Sequence, residues 1–148
     1  MKHILLVEDN PGDARLAQDL LDECADFDAH VTNVGRVSDA RSVLWKQPID
    51  LVFLDLGLPD SKGLEGLGRL TSMMPNAPII VLTGADDKTL ALEALKHGAQ
   101  DYLVKGTINP EALSRTMEYS IERKAAEVRN YYMAEKRSRH IIWKSQGC

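Results

Sequence analysis

Five short apolar runs, separated by longer amphipathic stretches, constrain this chain more than any other feature. They are Ile4-Leu5-Leu6-Val7, Ala29 to Val34, Leu51-Val52-Phe53-Leu54, Ile79-Ile80-Val81-Leu82 and Tyr102-Leu103-Val104. Most are apolar at every position, not at alternate ones, which suits strands covered on both faces. The stretches between them carry apolar residues at three- and four-residue steps: Leu16/Leu20/Cys24, Val37/Ala40/Val43/Leu44, Leu64/Leu67/Leu70 and Leu90/Ala94/Leu95. That period predicts helices. Gly98 follows "LEALKH" where a helix should stop, and Pro75 and Pro78 flank the approach to the fourth strand. Strands alternating with helices of about ten residues give right-handed βαβ units and a parallel sheet. The expected fold is α/β: a doubly wound five-stranded parallel sheet, (βα)5, filling residues 1 to about 125.

A chain of 148 residues suits one domain and can bury a core without disulfides or metal staples. No apolar run approaches the roughly 18 residues that a membrane span needs. The start, "MKHILLVEDN", is too short for a signal-peptide core, so a cytoplasmic location is expected. Cys24 and Cys148 have no metal-binding spacing, and Cys24 reads as a small core residue. The net charge of −4 hides a split: residues 1–110 hold 10 Lys/Arg against 17 Asp/Glu, whereas residues 111–148 hold 8 against 5. The acidic part argues against a nucleic-acid surface, and no direct nucleic-acid binding is expected.

The polar residues that matter sit at the strand ends. Glu8 and Asp9 follow the first strand, Asp55 ends the third, Thr83 the fourth and Lys105 the fifth. In an open parallel sheet, ligands bind outside the carboxyl ends of the strands, at the point where the strand order switches. In one of the two common doubly wound orders, the flavodoxin-like 2-1-3-4-5, the first and third strands are neighbours. Glu8, Asp9 and Asp55 should then converge on one spot, with Thr83 and Lys105 on its rim. Three close carboxylates need a counter-charge. A hard, oxygen-seeking cation, Mg²⁺ or Mn²⁺, supplies one, and Lys105 adds another. Asp55 would then stay an anion able to attack phosphorus, with Lys105 neutralising charge on the transferring group. Gly57 would offer a carbonyl oxygen to the metal with no side chain in the way. Taken singly, each residue reads as a cap or a surface group; the signal lies in their joint placement.

Four motifs carry a resemblance: "ILLVEDN" at 4–10, "DLVFLDLGLPDSKG" at 50–63, "PIIVLTG" at 78–84 and "GAQDYLVK" at 98–105. Together they resemble the receiver domain of two-component response regulators, the CheY-like superfamily, over residues 1 to about 125. The resemblance implies that Asp55 is the phosphoacceptor, and that Glu8, Asp9, Asp55 and the Gly57 carbonyl are the metal ligands. It also implies that Lys105 contacts the phosphoryl group, that Thr83 and Tyr102 form a switch pair, and that Pro59 and Gly63 shape the loop after Asp55. The implied partner is a sensor histidine kinase or a phosphotransfer protein, and the implied activity is phosphoryl acceptance, not turnover of a substrate. In one place the chain departs from the family. A proline joined by a cis peptide usually follows the lysine, and here Gly106 stands there. A trans bond or local strain is expected instead.

Two rival chemistries fare worse. A haloacid-dehalogenase-type enzyme needs a second acid two residues after its nucleophile, and that position is Gly57. A dinucleotide or flavin module would use a G-x-G-x-x-G turn, but "GLEGLG" at 63–68 has the order G-x-x-G-x-G and does not directly follow a strand. Beyond residue 125 the segment 126–148 reads as a helical extension or tail without an output domain, in a stand-alone receiver or one cut from a larger protein. Asn109 and Pro110 should cap and start the last helix. Its stripe of Ile121, Ala125, Val128 and Tyr132 suits a homodimer seam, and the face of the fourth helix, fifth strand and fifth helix is an alternative one. Ile141, Ile142 and Trp143 extend the apolar pattern toward the C-terminus.

Overall fold

The computed structural model describes residues 1–58 and 64–145, with side chains up to residue 139. Pro59 and Gly63, expected to shape the phosphoacceptor loop, lie outside the described residues, as do the side chains of Ile141, Ile142 and Trp143 and all of Cys148.

Strands and helices alternate along the chain: β1 (Lys2–Val7), α1 (Pro11–Asp22), β2 (Ala29–Val34), α2 (Ala40–Lys46), β3 (Leu51–Asp55), α3 (Glu65–Met73), β4 (Ile79–Thr83), α4 (Lys88–Lys96), β5 (Asp101–Val104) and α5 (Pro110–Ser145). A single 3₁₀ turn, Val37–Asp39, leads into α2. The sheet order is β2-β1-β3-β4-β5, and every pairing is parallel. β1 and β3 are therefore neighbours, with Val7 beside Leu54 at their ends.

The core lies on both faces of the sheet, as the continuous apolar runs require. Leu5 and Val7 of β1 face a cluster containing Val37, Ala40, Leu67, Leu70 and Ala94, so α2, α3 and α4 cover that side. Ile4 and Leu6 face Leu21, Cys24, Leu113 and Met117, so α1 and α5 cover the other. Each fully buried leucine or isoleucine here contributes about 2 kcal/mol of transfer free energy.

Two helical stripes differ from the sequence reading. Leu16 is 64% exposed, and α1 instead packs through Ala14, Ala17, Leu20, Leu21 and Cys24. In α4 it is Ala91 and Ala94 that are fully buried, while Leu95 is exposed at 36%. The physical reason is shared. A helix lying close on a sheet favours small residues at the contact, and these alanines carry little weight in a hydrophobicity pattern. Two glycines of "GLEGLG" are also placed: Gly66 and Gly68 lie within α3, in helical turns and not in a loop.

Gly98 ends α4 with φ of +107°, as its position suggested. α5 begins as expected, with the Asn109 side chain accepting a hydrogen bond from the Ala112 N–H at 2.8 Å. It then runs on past residue 125 without a break. Gln100 donates to Glu127 at 3.3 Å, which ties the start of the extension to the body of the domain. Beyond that point Tyr131, Tyr132 and Met133 are exposed. No helix among the described residues is long and apolar enough to cross a membrane.

Candidate phosphoacceptor site

Where β1 and β3 end side by side, the chain must turn, and it delivers acids there. The Glu8 N–H continues the ladder by donating to the Val34 carbonyl at 2.9 Å. The Asn33 side chain donates to the Leu6 and Glu8 carbonyls at 3.0 and 3.2 Å, fixing the exit of β1. The Glu8 side chain is thereby turned inward, with the residue only 2% exposed. Asp9 points to solvent, and Asp55 closes β3. One carboxylate oxygen from each of Glu8, Asp9 and Asp55 lies within 4.8 Å of the others. The convergence read from the sequence is thus present.

Lys105 is not on the rim but inside the cluster. Its Nζ lies 2.8 Å from Glu8 Oε2, 3.0 Å from Asp13 Oδ2 and 3.4 Å from Asp55 Oδ2. Its backbone is set by a 2.8 Å hydrogen bond from its N–H to the Thr83 carbonyl, which extends the β4–β5 pairing by one step. Gly106 follows with φ of +86°, a conformation that favours glycine, and no peptide bond among the described residues is cis. The trans alternative therefore holds, and the turn uses glycine's conformational freedom in place of proline's.

Burial and charge shape the titration of this pair. Burial is the largest influence on Glu8 and raises its pKa to about 7; the Lys105 ammonium opposes this without cancelling it, and the neighbouring Asp55 adds to the rise. For Lys105, burial alone would lower the pKa. The hydrogen bonds to Glu8 and Asp13 and the charge of Asp55 overturn that and hold it well above the ordinary lysine range.

Thr83 is also not on the rim. It is 2% exposed, and its hydroxyl has no hydrogen-bond partner among the described residues. Tyr102 pairs with Val81, two residues earlier in the ladder than the Thr83–Val104 pair, so it stands on the same sheet face as Thr83 and nearer the start of β5. The ring is half-buried against the cluster that contains Val81. The Gly57 N–H donates to Asp55 Oδ1 at 3.0 Å. A groove of about 970 Å³ between α2 and α3, lined in part by the exposed Trp45, includes none of these residues. A transferred phosphoryl group needs only a shallow polar site, so the geometry at the strand ends outweighs cavity size.

One participant was not legible in the sequence reading. Asp13 sits in the first turn of α1 and reads there as an acid favoured by the helix dipole. The available signal was topological: a helix that starts two residues after Asp9 must hold its first turn over the same strand ends.

Residues 4–118 match the model of the response regulator receiver domain. The chain belongs to this family. It is 34% identical over 125 residues to the regulatory protein LuxO of Vibrio cholerae, covering 84% of this chain but 26% of that protein. The chain thus spans about a quarter of the length of that relative. Among solved structures, a receiver domain protein from Clostridium thermocellum superposes with a TM-score of 0.72 at 25% identity, covering 85% of this chain and 98% of the other. The Mn²⁺-bound form of the response regulator Rcp1 superposes with a TM-score of 0.62 at 26% identity, covering 80% and 91%. Receiver domains of response regulators are phosphorylated by histidine kinases, and the family typically binds Mg²⁺.

Proposed function

We propose that this receiver is a phosphorylation-dependent switch in which Asp55 accepts a phosphoryl group from a phosphohistidine donor. The observation that carries this reading is the combination at the strand ends: Asp55 with Lys105 at 3.4 Å and the Glu8 and Asp9 oxygens within 4.8 Å. The Asp55 carboxylate attacks phosphorus, the P–N bond to the donor imidazole breaks, and that nitrogen leaves with the electron pair. Lys105 orients the accepting carboxylate and then balances charge on the phosphoryl oxygens. The buried Thr83 hydroxyl donates to one of those oxygens and finds there the partner it otherwise lacks. Its movement frees space that the Tyr102 ring takes up, and the α4-β5-α5 face responds. Leu92 and Leu95, both exposed on α4, supply apolar contacts for a partner on that face.

The donor set fits Mg²⁺ or Mn²⁺, because three carboxylate oxygens are gathered with no nitrogen or sulfur among them. The Mn²⁺-bound form of Rcp1 supports the same reading. Glu8, Asp9, Asp55 and the Gly57 carbonyl would hold the ion, which supplies positive charge for the transferring group. The chain acts as acceptor and relay in the cytoplasm and not as an enzyme on a separate substrate. It binds no nucleic acid directly. A sensor histidine kinase or a phosphotransfer protein feeds it, and the outer part of the α5 stripe beyond Ile121, which itself packs on the core, or the α4-β5-α5 face pairs it with a second copy.

Incubation with a small phosphodonor and Mg²⁺ tests the core of this reading. One phosphoryl group should be added, and both Asp55→Asn and chelation of the metal should abolish the labelling. Full labelling of the Asn variant would overturn the assignment.

A further inference from the structure

We infer that Asp13 is a positioning residue for Lys105, and that it holds the ammonium in place while the other carboxylates of the site change state. The inference rests on the reading of Asp55 as phosphoacceptor. Lys105 Nζ has three carboxylate neighbours, Glu8, Asp13 and Asp55. Two of them are committed elsewhere when the site works. Glu8 belongs to the metal-binding set, and Asp55 loses its carboxylate character on becoming an acyl phosphate. Asp13 alone is neither a member of that set nor altered by phosphorylation. An ammonium has three donor hydrogens. One can stay on Asp13 while another turns to a phosphoryl oxygen, so the contact persists through the reaction.

The start of α1 is built to hold Asp13 in this position. The Asn10 side chain caps the helix by accepting from the Asp13 N–H at 2.9 Å. The Asn10 N–H in turn donates to Glu8 Oε1 at 3.1 Å, so the cap is fastened to the buried acid of the cluster. Pro11 sets the first helical position. Gly12 leaves room for the cap, since a Cβ there would stand 3.2 Å from Asn10 Oδ1. Four successive residues thus point the Asp13 carboxylate across the strand ends to a lysine 92 positions away.

A lysine side chain is long and flexible, and an error of about 1 Å in the placement of a charge-stabilising group costs up to a hundredfold in rate. Asp13 is half-exposed, so its loss leaves Lys105 close by but less well placed, and a fall of about tenfold is expected.

Two measurements on the full chain decide the matter. The first is a double-mutant cycle on the rate of Asp55 labelling by acetyl phosphate with Mg²⁺. Asp13→Ala should lower the maximal rate about tenfold, with the half-saturating donor concentration unchanged. In a Lys105→Ala background it should add nothing. The second is the nitrogen–proton NMR signal of the Lys105 ammonium. It should be visible in the wild type, with and without Mg²⁺, and lost to fast exchange in Asp13→Ala. Labelling of Asp13→Ala at the wild-type rate would overturn the inference, as would equal slowing in both lysine backgrounds or an unchanged ammonium signal. Failure of the phosphoacceptor reading looks different, because labelling would then survive Asp55→Asn. The ammonium signal involves no phosphoryl transfer and tests the positioning contact by itself.

Discussion

Replacing Thr83 by valine should make the unphosphorylated protein more stable and at the same time disable it as a switch. The Thr83 hydroxyl is buried and unpartnered in a residue only 2% exposed. A buried hydroxyl without a hydrogen bond costs about 1–3 kcal/mol in protein mutational data. Valine has nearly the same shape and places a methyl group where the unpaired hydroxyl was. Removing the unpaired hydroxyl gives a gain of about 1 kcal/mol, which for a chain of this length raises Tm by about 2–4 °C. Urea unfolding monitored by circular dichroism, with the slope unchanged, measures the gain. The second half of the experiment adds beryllium fluoride and Mg²⁺ as a phosphoryl mimic. Wild type should then show NMR shift changes across α4, β5 and α5, and Thr83→Val should lose most of them. A Thr83→Val protein that is equally or less stable would refute the account of the orphaned hydroxyl. Full-size shift changes in the variant would refute the coupling through Thr83.

Glu8 makes the metal-free protein sensitive to pH. Its folded pKa of about 7 lies above the ordinary value of 4.5, so the folded chain binds more protons between these limits. The contribution is complete below about 4.5 and lost as pH rises through about 7, on the order of 3 kcal/mol. Lys105 keeps its proton throughout this window and does not offset the loss. Urea midpoints between pH 4.5 and 8 should fall in wild type and stay flatter in Glu8→Gln; parallel curves would contradict this. Gly106→Ala should cost about 1–2 kcal/mol from backbone conformation alone, since φ is +86° and a Cβ there would meet no atom within 4 Å; an unchanged denaturation midpoint would count against it. Light scattering should find a concentration-dependent dimer for the full chain and a monomer for a version ending at Lys124. Two monomers of the same shape would remove α5 as an association element.

The parts of this molecule legible in the sequence are those where a single physical pressure acts. The centres of β1, β3 and β4 are covered on both faces, so the runs Ile4–Val7, Leu51–Leu54 and Ile79–Leu82 are apolar throughout and stand out. Asp55 and Glu8 are visible because a carboxylate at the end of such a run breaks the pattern. The stripes of α1 and α4 are legible in Leu20, Cys24, Leu90 and Ala94, which pack on the core, whereas Leu16 and Leu95 are exposed and Ala14, Ala17 and Ala91 complete the contact. Hydrophobicity rises with side-chain size, whereas close packing of a helix on a sheet favours small residues. Asp13 stayed hidden because an acid in a first helical turn already has a local explanation. The central place of Lys105 was hidden for a different reason: a strand position fixes the backbone, and only the surrounding acids decide where a long side chain goes.

The same contacts support the proposed choice of Asp55, of the four acids gathered here, as the phosphoacceptor. Both oxygens of Glu8 are engaged, Oε1 by the Asn10 N–H and Oε2 by Lys105 at 2.8 Å. Its carboxyl is also the most buried of the four, which leaves it out of reach of an incoming donor. Asp13 is anchored on the lysine, in the turn of a helix and away from the strand ends proper. Asp9 is exposed and follows the end of β1 without a partner of its own among the described contacts that would orient it. Asp55 differs from all three. Oδ1 is fixed by the Gly57 N–H at 3.0 Å, which sets the plane of the carboxylate. Oδ2 makes only the longest of the three lysine contacts, 3.4 Å, and the side chain is 12% exposed. One oxygen is held while the other is loosely paired, in a side chain that keeps some exposure. That division suits a carboxylate that must stay oriented while one of its oxygens forms a new bond.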